Sequence, residues 1–226
     1  MIVERLKVVN STNEYIKKYL KKRENAVVRA DEQTAGAGTK GRSFISQKGG
    51  LYLTRLNFYD NLSASDAFSI MVNSAMGVVK TLLAYGINAG IKWPNDVYAN
   101  GKKICGILIQ NTFCGDLVDY SIVGIGLNVN NPIADEIKDI ATSMKEILGK
   151  EIDIEGVFLT LLMNCSMPST VQEYKNASII LQKQVTVIEG ENTYKDLAVD
   201  ILPDVRLQLE SGKILSAGEL NLKVQI

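Results

Sequence analysis

Histidine is absent from this chain of 226 residues. Its absence excludes a Ser-His-Asp triad, a histidine general base and a histidine-ligated metal centre. Net charge is absent too. The 25 Lys+Arg balance 25 Asp+Glu, which removes the global field of a protein that coats nucleic acid and leaves room only for a local basic patch. Cysteine is scarce. Cys105, Cys114 and Cys165 are odd in number and lack Cys-x-x-Cys spacing, so they read as reduced thiols of a cytoplasmic protein rather than as a disulfide framework or a zinc site. No signal peptide is expected, because residues 1–7 are too charged and their apolar run is too short. No membrane span is expected either. The most apolar long stretch, 68–87, carries Asn73, Ser74, Lys80 and Thr81 and reads as a buried helix.

Hydrophobic residues make up 46% of the chain, enough for a sizeable core in one domain or two unequal ones. Ser11-Thr12-Asn13-Glu14 opens a helix with Ile16, Tyr19 and Leu20 on one face. Strands are predicted at 26–30, 51–58, 91–93 and 120–129, with a hairpin pairing 97–98 and 104–110 around Asn100-Gly101. Helices are predicted over 65–85, over 142–148 ending at Gly149, and from Asp153 with a break at Pro168. After Leu181 the pattern changes to short strands separated by Glu189-Gly190, Pro203-Asp204 and Ser211-Gly212, an all-β module. The larger part lacks regular βαβ alternation. The fold class is therefore α+β, with a domain over 1–180 and a small one over 181–226.

Four segments carry candidate chemistry. Three glycines in Gly36-Ala37-Gly38-Thr39-Lys40-Gly41-Arg42 let backbone N–H groups approach an anion, and Lys40 and Arg42 add charge. This is not a Walker A loop, and Ser43-Phe44-Ile45-Ser46 does not open a helix as a dinucleotide fingerprint requires. Lys92-Trp93-Pro94-Asn95-Asp96 offers Asn95 and Asp96 to orient a ligand or hold Mg²⁺ through oxygen, with Lys103 reaching the same anion across the hairpin. The plain alternative is a polar turn beside a core tryptophan. Ser11 with Glu14 matches a capping box, while the same hydroxyl and amide groups can converge on a neutral polar ligand. Gly124-Ile125-Gly126-Leu127-Asn128 permits close backbone approach at a strand end, with Asn128 suited to a base or a ribose.

Five segments taken in order resemble the biotin protein ligase family over about residues 8 to 130. They are Ser11-Thr12-Asn13, Gln33-Thr34-Ala35-Gly36-x-Gly38-x-x-Gly41-Arg42, Lys92-Trp93-Pro94-Asn95-Asp96, Lys103-Ile104-Cys105-Gly106-Ile107-Leu108 and Gly124-Ile125-Gly126-Leu127-Asn128. Leu215-Ser216-Ala217-Gly218-Glu219-Leu220 is similar to that family's C-terminal β-barrel. The resemblance implies a mixed-sheet catalytic domain of the biotin/lipoate ligase type, ATP and biotin as substrates, and Mg²⁺. It implies that biotin is joined to ATP as biotinyl-5′-AMP and then passed to a lysine of a biotin carboxyl carrier protein, as in acetyl-CoA carboxylase. By carry-over, Ser11, Thr12, Asn13, Gln33, Gly38, Thr39, Lys103 and Gly106 are biotin-binding positions. Gly36, Lys40, Gly41, Arg42, Phe44, Lys92, Asn95 and Asn128 are ATP or adenylate positions. Lys103, Arg42 and Asp96 carry the catalytic roles, Asp96 also as the Mg²⁺ position.

Such chemistry suits a chain without histidine, because the substrate carboxylate is itself the nucleophile and the protein aligns anions and neutralises charge. Ala37 and Thr39 stand where the family's loop is commonly arginine, and Gln110 where an acidic residue is usual. Thr39 cannot make arginine's bidentate contact, which predicts weaker retention of the adenylate unless Lys40 compensates. The first motif begins at Ser11, so a ligase without a DNA-binding repressor domain is expected. A homodimer is compatible with the resemblance, with no interface identified. The alternatives are a lipoate-type ligase and a non-catalytic module that binds biotin or a nucleotide. The Lys92 to Asp96 segment and the β-module favour biotin over lipoate, and Lys103, Arg42 and Asp96 favour catalysis.

Overall fold

Half-buried and exposed side chains alternate along the first strand, β1 (Ile2–Val9), and place it at a sheet edge. The computed structural model describes residues 1–216, apart from the Lys40 side chain, and the backbone of 221–224. β1 runs parallel to β2 (Ala26–Gln33). Beyond them lie β3 (Leu51–Phe58), β7 (Leu117–Leu127), β6 (Lys102–Cys114), β5 (Asp96–Ala99) and β4 (Ala89–Lys92), each antiparallel to its neighbour. The sheet order is thus β1-β2-β3-β7-β6-β5-β4. Asn100 and Gly101 have φ of 50° and 76°, as a two-residue type I′ turn requires, and close the expected β5–β6 hairpin. A second hairpin, with Gly115 at φ 58°, carries β6 to Cys114, past its expected end at Gln110.

α2 (Phe68–Ala84) and α4 (Ile154–Ser166) cover one face of the sheet and share its main core. A Cβ on Gly77 would stand 2.5 Å from Cys165 Sγ, so glycine permits their close approach. The stretch 64–84 is long and apolar enough to cross a membrane, yet half of its apolar window is buried inside the fold. α3 (Met144–Leu148) starts in a capping box of Ser143 and Glu146 and stops at Gly149, φ 68°. Pro168 lies in the expected break between α4 and α5 (Val171–Asn176). On the opposite face, α1 (Thr12–Tyr15) and the 3₁₀ turn Ile16–Lys22 cover a smaller core of Ile16, Val28, Leu56 and Ile122. That packing sets residues 11–13 over the middle of the sheet, against β3 and β7.

The C-terminal strands β8 (Gln184–Glu189), β9 (Asn192–Ile201), β10 (Leu207–Leu209), β11 (Ile214–Leu215) and β12 (Asn221–Val224) form an antiparallel sheet in the order β11-β10-β9-β8-β12. No ladder joins β11 to β12 among the described residues, so the expected barrel stays open there. Residues 217–220 of the family-like segment lie outside the described residues. The module is tied to the larger part by a shared core and by Trp93, whose Nε1–H donates to Val205 O at 2.7 Å.

Candidate active site

Ser11 enters α1 with extended backbone (φ −153°), but its side chain makes no cap bond, so the expected capping box does not form. The polar groups there bond sideways instead. Gln33 Oε1 accepts from Thr12 N–H (2.8 Å) and from the Thr12 hydroxyl (2.9 Å). Gln33 Nε2 donates to Ser46 Oγ (2.9 Å), which donates to Phe44 O (2.9 Å). Thr54 Oγ1 lies 2.5 Å from Asn13 Oδ1 and 2.8 Å from Thr12 Oγ1. Ser11, Thr12, Asn13, Ser46 and Thr54 are all buried. Unpaired polar groups are costly in such a place, so the network holds one arrangement.

The glycine loop folds back on itself. Gly38 N–H donates to Arg42 O (2.7 Å) and Phe44 N–H to Gly36 O (2.8 Å). A Cβ on Gly36 would stand 2.5 Å from both Phe44 O and Ser46 Oγ. The loop delivers Phe44 across β6 and β7, where glycines make room. A Cβ on Gly126 would lie 2.6 Å from the Phe44 ring, and one on Gly106 3.2 Å from it. Packing thus calls for glycine at four motif positions, Gly36, Gly106 and Gly126 around Phe44 and Gly124 under Asn13.

Residues of the Lys92 to Asp96 segment divide between structure and cleft. Trp93 is a core residue, and the Trp93–Pro94 peptide bond is cis. Asn95 Nδ2 donates to Ile107 O (2.7 Å) while Ile107 N–H donates to Asn95 O (3.0 Å), locking the turn to β6. Asp96 Oδ1 pairs with Lys103 Nζ at 2.7 Å, with side-chain exposures of 26% and 30%. Lys92 Nζ lies 3.4 Å from Tyr98 OH. Burial pushes the Lys92 ammonium below its ordinary range; Asp96 opposes this, and Lys103 and Arg42 add to it.

Two cavities adjoin, and Phe44 and Lys103 belong to the walls of both. The first is lined by residues 11–13, Gln33, Gly38, Thr39, Asn95, Asp96 and Gly106, with the β7 backbone at 124–126. The second is more apolar, lined by Ile133, Ala134, Ile137 and Ile140 with Tyr98 and Asn128. The Asn128 side chain donates to Thr142 O (3.0 Å) and accepts from Asn131 Nδ2 (3.1 Å), so it braces that wall. An anion reaching across from either cavity meets Lys103. Gly36, Gly41, Arg42 and Lys92 stand outside both walls, Arg42 on an exposed part of the loop. The Lys40 side chain lies outside the described parts. Sequence reasoning missed Ser46 and Thr54. The only trace of Thr54 is a hydroxyl between Tyr52 and Leu56, which share its face of β3. Among the described residues, Asp96 is the one carboxylate in either wall, and no cluster of three or more His, Cys, Asp or Glu residues suited to a metal occurs.

Residues 6–128 match the Biotin/lipoate A/B protein ligase family. The bifunctional ligase/repressor BirA of Bacillus subtilis is 40% identical over 144 residues, which are 62% of this chain and 44% of that protein. The biotin–[acetyl-CoA-carboxylase] ligase of Paracoccus denitrificans is 33% identical over 155 residues, 61% of this chain and 60% of that one. The chain thus spans less than half the length of the Bacillus relative. Among solved structures, the biotin protein ligase from Aquifex aeolicus in complex with biotin and ATP has a TM-score of 0.81 and 30% identity over 99% of both chains. The Leishmania major biotin protein ligase, 23% identical with a TM-score of 0.68 over 96% of this chain, shares the fold. With its motif segments gathered on one sheet and that match running from β1 through β7, the chain belongs to the biotin/lipoate A/B protein ligase family.

Proposed function

We propose that the protein is a biotin protein ligase that converts biotin and ATP to biotinyl-5′-AMP and pyrophosphate, then biotinylates a lysine of a biotin carboxyl carrier protein. The observation that carries this reading is Lys103, the one lysine among the described residues in the common wall of a polar cavity and a more apolar one. The biotin head occupies the polar network at Ser11, Thr12, Asn13 and Gln33, and adenosine occupies the cavity lined by Tyr98, Asn128 and Ile137. The biotin carboxylate and the ATP α-phosphate then meet beside Lys103.

In the first step a carboxylate oxygen attacks the α-phosphorus, an O–P bond forms, and the bond to the pyrophosphate oxygen breaks. Lys103 offsets the repulsion between the two anions, and Gly38 and Thr39 close over them from the loop. In the second step the neutral carrier amine attacks the acyl carbon, AMP leaves with the C–O bonding pair, and the nitrogen loses a proton. Asp96 would hold a Mg²⁺ ion bound with ATP, which would supply neutralisation of the phosphate charge. Magnesium is commonly held by one or two carboxylates plus substrate phosphates, and a lone Asp96 fits that pattern. Lys103 engages Asp96 Oδ1, and the same carboxylate would hold the ion. Arg42 and Lys40 act on the phosphates once the loop closes.

The proposal extends to a cytoplasmic location, a homodimer, and a division at 180/181 between catalytic and C-terminal parts. The Paracoccus relative's name supports a carrier of the acetyl-CoA carboxylase type. The test is incubation with biotin, ATP, Mg²⁺ and a biotin carboxyl carrier domain, read by mass spectrometry. One biotinyl group on one lysine is expected. An unmodified carrier after prolonged incubation with active-site-saturating substrates would overturn the reading.

A further inference from the structure

Thr54 lies beneath the polar cavity with its side chain fully enclosed, at 0% exposure. Its register partner across β3 and β7 is Gly124. The carboxamide of Asn13 rests on this pair. A Cβ on Gly124 would stand 2.4 Å from Asn13 Oδ1 and 2.9 Å from Nδ2, so the amide fills the space that any larger residue would need. From the neighbouring strand, Thr54 Oγ1 reaches Asn13 Oδ1 at 2.5 Å.

Proton accounting gives this contact a direction. Each hydroxyl has one proton to give, and Thr12 Oγ1 lies within reach of both Gln33 Oε1 (2.9 Å) and Thr54 Oγ1 (2.8 Å). A carboxamide oxygen only accepts. The contact between Thr54 and Asn13 therefore takes the single Thr54 proton, and it is the shorter of the two, 2.5 Å against 2.8 Å. With Oδ1 engaged from below, the group Asn13 has left for the cavity is its Nδ2–H₂ donor.

We propose that Thr54 is a positioning residue: by holding Asn13 Oδ1 over Gly124, it fixes the Asn13 amide with its N–H₂ toward the cavity and so selects a ligand whose buried end presents a hydrogen-bond acceptor. On the ligase reading, on which this rests, that acceptor is the oxygen of the cyclic urea of biotin. A dithiolane ring has no such oxygen and leaves the donor unpaired, which is how a site built for hydrogen bonding rejects an analogue that lacks the group. Valine at position 54 keeps the shape but lacks the hydroxyl, so the amide loses its anchor and is free to turn.

The test compares Thr54→Val with Thr54→Ser in biotin-dependent ATP–pyrophosphate exchange, together with biotin calorimetry on each protein. Thr54→Val is expected to raise the biotin KM and Kd about tenfold, the weight of one neutral hydrogen bond, with the ATP KM and kcat at saturating biotin within about twofold. Serine restores the wild-type biotin KM. In an Asn13→Ala background, Thr54→Val has no further effect beyond about twofold, because its action runs through Asn13. An unchanged biotin KM in Thr54→Val overturns the proposal, as does an equal penalty with Asn13 absent or failure of serine to restore affinity. Should the valine variant not fold, Thr54→Ala replaces it in the same comparison. A wild-type protein without exchange would count against the ligase reading instead, and the calorimetric comparison would still decide the role of Thr54.

Discussion

Lys103→Ala separates a role in catalysis from a role in holding the fold. In the folded enzyme Lys103 Nζ lies 2.7 Å from Asp96 Oδ1, but both side chains are between a quarter and a third exposed, at 30% and 26%. Solvent screening limits such a pair to about 1 kcal/mol, so Tm should move by only about 2–4 °C. The effect on the reaction is larger. A unit charge about 4 Å from an anion contributes roughly 4 kcal/mol at an effective dielectric of about 20. Loss of a positioned donor in an enzyme typically costs about 3–4 kcal/mol of barrier, or roughly a hundredfold to a thousandfold in rate. Removal of Lys103 also leaves Asp96 facing two substrate anions without its counter-charge, which adds to the loss. Exchange should therefore fall at least about a hundredfold in a protein that still melts cooperatively near the wild-type temperature. Retention of more than about a tenth of the wild-type rate would refute the placement of the reaction beside Lys103.

Three further outcomes follow from individual contacts. Thr39→Arg should slow escape of biotinyl-5′-AMP from the first cavity, measured as adenylate half-life after removal of ATP; an unchanged half-life would dissociate loop arginine content from retention. Trp93→Phe removes the donor to Val205 O, leaving a buried carbonyl unpaired, and should lower stability by about 1–3 kcal/mol in denaturant unfolding. Hydrogen bonds from Lys18, Tyr19 and Tyr15 hold the Glu4 carboxyl at about 2, below its ordinary 4.5. A carboxyl lowered by folding stabilises above its unfolded pKa and loses that contribution as pH falls toward the folded one. Glu4→Gln should therefore flatten the decline in stability between about pH 4.5 and 2, and an unchanged acid limb would contradict this.

Features that a few adjacent residues impose were legible in the sequence. Asn100-Gly101 specifies its hairpin through two positive φ angles, and that hairpin by itself brings Lys103 to Asp96. Gly149 and Pro168 end α3 and α4 for local backbone reasons. Features decided by partners far along the chain were not. β1 reads as polar because Glu4 occupies a half-buried position, and only the fold brings Tyr15 and Tyr19 to that carboxylate. The Ser11 capping box does not form, and the Glu14 carboxylate that it needs pairs with Lys17 instead. Thr54, forty-one residues from Asn13, joins the network only across the sheet. Gly36 read as an anion contact, Gly106 as a biotin position and Gly126 as a point of close backbone approach; a Cβ at any of the three would crowd Phe44 or its neighbours, which only the fold reveals.

The central claim is that Lys103 stands where a carboxylate from one cavity meets a phosphate from the other. The most direct test is exchange of labelled pyrophosphate into ATP with biotin, lipoate or neither present. The account predicts exchange with biotin alone. Exchange that needs lipoate, that proceeds equally without either acid, or that never appears with biotin would contradict it.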